Sequence, residues 1–238
     1  MLEVALETFD GEGIAVVFGA GGGIGSALVR LLRASNQFEE VVGISRNLLP
    51  DFDISCETSI QVVVSELLEA DRVRLALDAT GFLHDDMRQP EKSLRSLDLE
   101  SLQHSFAINA IGPALLMKHV FPYLSRRKKS LFGTLSARVG SISDNKLGGW
   151  YGYRASKAAL NQFVRTASIE LSRVAPEAIC VALHPGTVAT PLSFPFTKNR
   201  GNVFSPEVAA SRLLSVVDAL TPSSTGQFFD WAGRRVPW

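Results

Sequence analysis

The chain has 238 residues, of which 46% are hydrophobic, and its 24 basic and 24 acidic residues give a formal net charge of zero. This length suits one α/β domain with a substantial core, so residues 1–238 are treated as a single domain. A zero net charge creates no overall field that would attract nucleic acid or an anionic membrane, and no apolar run reaches membrane-spanning length. The first residues lack the pattern of a secretory signal, and Cys56 and Cys180 suggest neither a disulfide framework nor a zinc site. We therefore expect a cytoplasmic protein that holds no metal and binds neither nucleic acid nor membrane.

Short apolar runs alternate with segments of helical periodicity along the whole chain. The runs predict strands at 13–18, 41–44, 49–54, 73–79, 131–135, 179–184 and 227–230, and the periodic segments predict helices at 23–34, 59–70, 99–124, 151–174 and 206–219. Pro113 is expected to kink the third helix, and Ser205 to cap the last one. This alternation indicates a doubly wound α/β fold with a parallel sheet of about seven strands and helices on both faces.

A glycine-rich loop lies between the first predicted strand and the first predicted helix. Its sequence from Gly19 to Gly25 is GAGGGIG, with the spacing G-x-x-x-G-x-G. Glycines let the backbone approach a pyrophosphate, and the following helix N-terminus offers free N–H groups. A flexible surface loop is the alternative, which the strand before and the helix after disfavour. The expected phosphate contacts are Gly19, Gly22, Gly23, Ile24 and Gly25.

Tyr153 and Lys157 form a Y-x-x-x-K unit at the start of a predicted helix. A spacing of four residues places the phenol and the ammonium on one helix face. The neighbouring cation favours the phenolate and is expected to lower the pKa of Tyr153 toward the range of acid–base catalysis. By itself, the pattern is more typical of a surface aromatic residue beside an extended lysine.

The glycine loop and the Y-x-x-x-K unit together resemble the classical short-chain dehydrogenase/reductase family, over essentially the whole chain. DATGFLHD, LSARVGSISDN, GGWYGYRASKAALN and LHPGTVAT are most similar to its carbonyl-reductase branch, which includes the C-factor and sniffer proteins. The resemblance implies a Rossmann-type fold and hydride transfer between a nicotinamide cofactor and a small carbonyl or alcohol substrate. It implies that Tyr153 is the acid/base and that Lys157 holds the nicotinamide ribose and lowers the tyrosine pKa.

Further site residues follow from the resemblance alone. Asn109 is expected to hold a water in the proton relay through its backbone carbonyl, and to lie at the cofactor. The remaining expected cofactor contacts are Asp53 and Ile54 at the adenine, Ala79, Thr80 and Gly81 after Asp78 in a partial match to Asn-Asn-Ala-Gly, and Pro185, Gly186, Val188 and Thr190 at the nicotinamide.

The residues after the second predicted strand favour NADP over NAD. Users of NAD normally place an acid there for the ribose 2′-hydroxyl, whereas this chain has Ser45 followed by Arg46. A guanidinium suits a 2′-phosphate. Alternatively, Arg46 is only a solvated loop charge, and Gly22 stands where many NADP users carry a second basic residue.

The catalytic serine of the family has no direct counterpart. Its position, three residues before Gly140, is occupied by Ala137. Ser136 and Ser141 are the two alternatives, and the sequence does not choose between them. Without either hydroxyl, the carbonyl would be polarised mainly by Tyr153 and reduction would be slower.

The segment 191–204 is expected to form a short lid over the substrate. Trp150, Tyr151 and Phe194 would form either an aromatic wall of the site or, equally, core or oligomer contacts. The family commonly pairs through its two long helices, which predicts a homodimer or homotetramer. Two other functions remain open: a dinucleotide-binding signalling or sensor protein of the C-factor type with little turnover, and a sugar-nucleotide epimerase, which usually has a longer C-terminal region.

Overall fold

A six-stranded parallel sheet forms the centre of the molecule. The structure is a computed structural model that describes residues 4, 6–197 and 201–238. The strands are β1 (Ile14–Phe18), β2 (Glu40–Ile44), β3 (Val73–Asp78), β4 (Ser130–Leu135), β5 (Ala178–His184), β6 (Thr187–Val188), β7 (Val203–Phe204) and β8 (Phe228–Asp230). The main sheet has the order β2-β1-β3-β4-β5-β8, and β6 pairs with β7 in a separate ribbon. The strand order reverses beside β1, and such a reversal opens a crevice at the carboxyl ends of the strands.

Helices cover both faces of the sheet. They are α1 (Gly23–Ser35), α2 (Glu57–Leu67), α3 (Leu99–Phe106), α4 (Gly112–Val120), α5 (Tyr151–Val174) and α6 (Pro206–Ala219). The last two agree with the predicted bounds, and the Ser205 hydroxyl accepts a hydrogen bond from the backbone N–H of Val208, as expected of the cap. The predicted helix 99–124 is divided, because a π-helical turn at Ala107–Ile111 separates α3 from α4.

The sheet has six strands, and the predicted strand at 49–54 is wrong because these residues form turns. Here side chains form hydrogen bonds with backbone groups that would otherwise pair with a neighbouring strand. The Ser59 hydroxyl accepts from the N–H of Asp53 (2.8 Å) and donates to the carbonyl of Asp51 (2.7 Å). The Asp53 carboxylate accepts from the N–H of Ser55 at 2.8 Å. Such local bonds compete with strand pairing, so β2 remains the edge of the sheet.

The core lies in two layers, one on each face of the sheet. On one face Val16, Phe18 and Phe132 pack with the buried side of α5, whereas on the other Val17 and Leu131 pack with α1 and α6. Every residue of β1 is buried, as expected of a strand covered on both faces. Over the described ranges, no helix is long and apolar enough to cross a membrane, and no three His, Cys, Asp or Glu residues cluster as metal ligands would.

Candidate active site

A cavity of about 480 Å³ opens beside the carboxyl ends of β4 and β5. Its lining includes Tyr153 from α5, Ser136 and Ala137 from the end of β4, and His184 and Pro185 from the end of β5. Further predicted cofactor residues also reach it, and these are Ile24, Gly186, Val188 and Thr190. The sheet therefore brings together residues that lie more than a hundred positions apart in the chain.

The glycine loop is closely packed, which explains its composition. Gly19 has a φ of +79°, and a Cβ there would lie 2.8 Å from the carbonyl group of Ala79. A Cβ on Gly25 would overlap the carbonyl oxygen of Gly19, and one on Gly23 would lie 2.9 Å from Cγ2 of Thr190. The loop thus packs against both the end of β3 and the segment after β5, so three groups of predicted cofactor residues form one continuous surface.

Ser45 and Arg46 lie beyond the end of β2, next to the glycine loop. Ser45 is buried, and its hydroxyl has no hydrogen-bond partner among the described residues. A Cβ on Gly21 would lie 3.2 Å from this hydroxyl oxygen and 3.3 Å from Nδ2 of Asn47. Arg46 is exposed. This recess, bordered by an unpaired hydroxyl, an amide and a guanidinium, has the chemistry to accept a ribose that carries a phosphate.

Asp53 and Ile54 border the same end of the sheet. Hydrogen bonds from Ser55 lower the pKa of the Asp53 carboxyl, and the charge of Arg46 lowers it further. Ile54 packs against the start of α4, where a Cβ on Gly112 would lie 2.6 Å from Cγ1 of Ile54. The structure therefore places Asp53 near Arg46 with its carboxylate exposed, and Ile54 against the start of α4.

The segment after β3 is held by a buried carboxylate. Asp78 accepts hydrogen bonds from the Thr80 N–H (3.0 Å), the Thr80 hydroxyl (2.5 Å) and the Thr134 hydroxyl of β4 (2.6 Å). The next glycine, Gly81, lies between two predicted catalytic residues, since a Cβ on it would be 3.6 Å from Oδ1 of Asn109 and 3.9 Å from Nζ of Lys157.

Asn109 lies within the π-helical turn and is fully buried. Its side chain pairs with the backbone of Phe82 in both directions, with Nδ2 donating to the carbonyl and Oδ1 accepting from the N–H, each at 2.8 Å. The residue four positions on is Pro113, which has no N–H, so the carbonyl of Asn109 lacks its usual α-helical donor. Hydrogen bonding at this carbonyl therefore departs from the α-helical pattern, and π-turns of this kind often occur at functional sites.

Burial dominates the electrostatics of Tyr153 and Lys157. Lys157 is buried, and its ammonium donates to the carbonyl of Leu135 at 2.8 Å. Burial lowers the pKa of Lys157 to about 8, against the opposing charge of Asp78. Burial also raises the pKa of Tyr153 to about 12. The expected lowering of the tyrosine pKa by the lysine is therefore outweighed in this structure, and Tyr153 is protonated at neutral pH.

The two candidate serines have different surroundings. Ser136 lines the cavity, but its hydroxyl donates to Oδ1 of Asn161 at 2.7 Å. Ser141 is buried in the following loop, where its hydroxyl accepts from the N–H of Asp144 at 3.2 Å, and it does not line the cavity. Ala137 lies on the cavity wall and offers no hydroxyl.

The start of α5 depends on a residue that the sequence did not indicate. Glu91 is buried, its backbone carbonyl accepts from the N–H of Trp150 (2.5 Å), and its carboxylate accepts from the N–H of Gly152 (3.1 Å). A Cβ on Gly152 would lie 2.7 Å from this carboxylate. An acid at a helix N-terminus is stabilised by the helix dipole, so Glu91 anchors the turn that carries Tyr153. Because Glu91 comes 61 residues earlier in the chain, no local pattern points to it.

The aromatic wall differs from the expectation. Trp150 does line the cavity, in contact with Phe196 (ring centroids 5.0 Å apart) and Tyr153 (6.2 Å). Tyr151 and Phe194 are 38% and 65% exposed and do not line it, so their prediction is wrong and Phe196 takes that place. Of the expected lid 191–204, residues 198–200 lie outside the described residues.

The crevice, the glycine loop and the neighbouring Tyr153 and Lys157 form the arrangement expected of a dinucleotide-binding oxidoreductase. A family model described as enoyl-(acyl carrier protein) reductase matches residues 11–214. This chain belongs to the short-chain dehydrogenase/reductase family, which confirms the resemblance and the enzyme class predicted from the sequence.

Three known proteins illustrate the relationship. The chain is 36% identical to the C-signal protein of Myxococcus xanthus over 61% of this chain and 84% of that protein. It is 33% identical to 1-hydroxy-2-glutathionyl-2-methyl-3-butene dehydrogenase of Rhodococcus sp., over 79% of each chain. Its fold is similar to that of the NADPH-bound carbonyl reductase from chicken fatty liver, with a TM-score of 0.81, 23% identity and coverage of 100% of this chain and 96% of that one.

Proposed function

We propose that the protein is an NADPH-dependent reductase of small carbonyl compounds, with Tyr153 as the acid/base. The observation that carries the proposal is the position of the Tyr153 side chain, on a cavity that borders the glycine loop and the end of β5. The two other residues of the proposed proton relay, Lys157 and Asn109, lie close to each other on either side of Gly81.

The residues present fit a nicotinamide dinucleotide. Gly19, Gly23 and Gly25 leave no room for side chains and expose the N-terminus of α1, which suits a pyrophosphate. The unpaired hydroxyl of Ser45 and the exposed guanidinium of Arg46 suit a ribose 2′-phosphate, which supports NADP over NAD.

Fluorescence titration with NADPH and NADH tests the cofactor proposal. We expect tighter binding of NADPH. Arg46→Ala should weaken NADPH binding about tenfold and change NADH binding little, because only the former carries the phosphate. Arg127→Ala, which removes an exposed arginine elsewhere, is the matched control. Equal affinity for both cofactors in the unmodified protein would refute the proposed preference.

Each catalytic side chain has a role that follows from its position. The cofactor, when bound, supplies or accepts the hydride. Tyr153, protonated because it is buried, gives its proton to the carbonyl oxygen. The ammonium of Lys157 stabilises the phenolate that remains. The carbonyl of Asn109, free of its α-helical donor, holds a water that relays a proton back through Lys157.

The cavity lining supports a small or elongated substrate with an apolar part. Trp150, Phe196 and Leu192 provide apolar surface, while Lys146 and Arg154 add positive charge. A substrate screen therefore combines aromatic and aliphatic aldehydes and ketones with carbonyl compounds that carry a carboxylate. Because the Rhodococcus relative is named for a glutathionyl alcohol, glutathione conjugates belong in the same screen.

Replacement of Tyr153 tests the chemistry directly. Tyr153→Phe removes only the hydroxyl, so it should abolish carbonyl reduction while the affinity for NADPH changes little. Tyr151→Phe is the matched control, because Tyr151 starts the same helix but does not line the cavity. Retained turnover in Tyr153→Phe would refute the role of the tyrosine.

A signalling or sensor protein with little turnover is the second candidate. Two observations favour it: Ala137 on the cavity wall in place of a hydroxyl, and the similarity to the C-signal protein. NADPH binding without reduction of any compound in the screen would support this function. The homodimer or homotetramer and the cytoplasmic location both stay predictions, and light scattering tests the former.

A further inference from the structure

Reduction of a carbonyl group places negative charge on its oxygen, and a second hydrogen-bond donor beside the acid normally stabilises this charge. Loss of one such donor typically costs about 100-fold or more in rate. In this cavity, Tyr153 supplies one donor. Ala137 supplies none, the Ser136 hydroxyl is engaged with Asn161, and Ser141 is outside the lining.

His184 is the last residue of β5 and lines the same cavity. Side chains alternate along a strand, and Cys180 and Ala182 pack in the core layer that contains Leu160 of α5. The side chain of His184 therefore lies on the face of the sheet that carries the Tyr/Lys helix. The strand register places His184 beside the end of β4, where the Ser136 N–H donates to the carbonyl of Leu183 at 2.8 Å.

The imidazole has unused hydrogen-bonding capacity. Among the described residues, its Nδ1 is buried without a hydrogen-bond partner. Burial and the charge of Arg138 lower the pKa of His184 to about 4, against the opposing charge of Asp230. The ring is therefore neutral at physiological pH and carries one N–H, which makes it a donor without adding a charge to the cavity.

We propose that His184 is a further catalytic residue, whose imidazole N–H donates a hydrogen bond to the carbonyl oxygen of the substrate beside Tyr153. The inference rests on the proposed reductase function. The imidazole keeps its proton throughout, since Tyr153 supplies the proton that ends on the alcohol. His184 thus supplies the hydrogen-bond donor that a hydroxyl at position 137 would otherwise supply.

The test compares four variants by kcat, KM and NADPH affinity with one carbonyl substrate. His184→Ala should lower kcat/KM for reduction about 100-fold, mainly through kcat, with NADPH affinity unchanged. His184→Gln keeps an N–H donor, so its kcat/KM should be higher than that of His184→Ala and lower than that of the original protein. Ala137→Ser combined with His184→Ala should recover at least about tenfold, because a new hydroxyl then replaces the imidazole. His119→Ala is the control, since that histidine pairs with Glu57 away from the cavity.

Two results would overturn the inference. One is a His184→Ala variant with the original kcat/KM. The other is a loss that neither His184→Gln nor the added Ala137→Ser reverses at all, which would make the histidine structural. The reductase function is judged separately by Tyr153→Phe. A protein that binds NADPH but reduces no carbonyl refutes that function and removes the inference with it.

Discussion

Replacement of Lys157 by methionine should alter the pH dependence of stability in a predictable direction. The folded-state pKa of about 8 lies below the ordinary value of 10.5, so the protonated ammonium costs the folded protein stability. This cost is present in full below about pH 8 and shrinks as the pH rises toward the ordinary value. Lys157→Met removes the ammonium and with it the pH-dependent cost.

The magnitude follows from the two pKa values. The interval from about 8 to 10.5 corresponds to about 3 kcal/mol in the free energy of unfolding near neutrality. Between about pH 7 and pH 9 the cost falls by about 1.3 kcal/mol. Between these two pH values, the free energy of unfolding of the original protein should therefore rise by about 1.3 kcal/mol relative to that of Lys157→Met. Above about pH 10 ionisation of tyrosines in the unfolded chain adds a second effect, so the comparison stops at about pH 9.

Urea unfolding of both cofactor-free proteins at the two pH values measures this difference. Every other titrating group is the same in both proteins and cancels, as does any change in packing that is independent of pH. Lys157→Leu is the control for side-chain shape and should give the same pH dependence as Lys157→Met. A stability difference that is equal at the two pH values would refute the reasoning, because it would mean that burial does not depress the lysine pKa.

Three further outcomes are expected. Gly25→Ala should abolish NADPH binding with the circular dichroism spectrum unchanged, because its Cβ overlaps a loop carbonyl, whereas Gly201→Ala, where a Cβ meets nothing, should bind normally. Thr134→Val should lower the free energy of unfolding by about 1–3 kcal/mol, because it removes a donor to the buried carboxylate of Asp78. Glu91→Ala should destabilise the protein by about 1 kcal/mol and lower kcat with little change in NADPH affinity, because it loosens the start of α5.

Each of these outcomes has a result that would contradict it. Normal NADPH binding by Gly25→Ala would mean that the glycine loop has room to shift. An unchanged urea midpoint for Thr134→Val would mean that the carboxylate finds another partner. An unchanged kcat for Glu91→Ala would show that α5 keeps its start without the capping acid.

Most secondary structure was predictable because local patterns encode it. The bounds of α5 and α6 follow from periodicity and from Ser205 with Pro206. The strand predicted at 49–54 was wrong. Its apolar residues suggest a strand, but hydrogen bonds with Ser59 and Ser55 hold the segment in turns. Likewise Pro113 indicated an irregular helix, but periodicity does not reveal that the irregularity is a π-turn centred on Asn109.

The glycine loop and the Y-x-x-x-K unit predict the family from the sequence alone, because both depend on short, fixed spacings, and the comparisons confirm the family. The pKa values of Tyr153 and Lys157 could not be predicted in this way. Burial shifts both more than the two groups influence each other, and burial is a property of the packed protein. In the same way, the free imidazole of His184 faces the cavity only because β5 lies beside β4 in the sheet. Contacts between residues far apart in the chain depend on how strands and helices pack, and local sequence patterns carry no record of them.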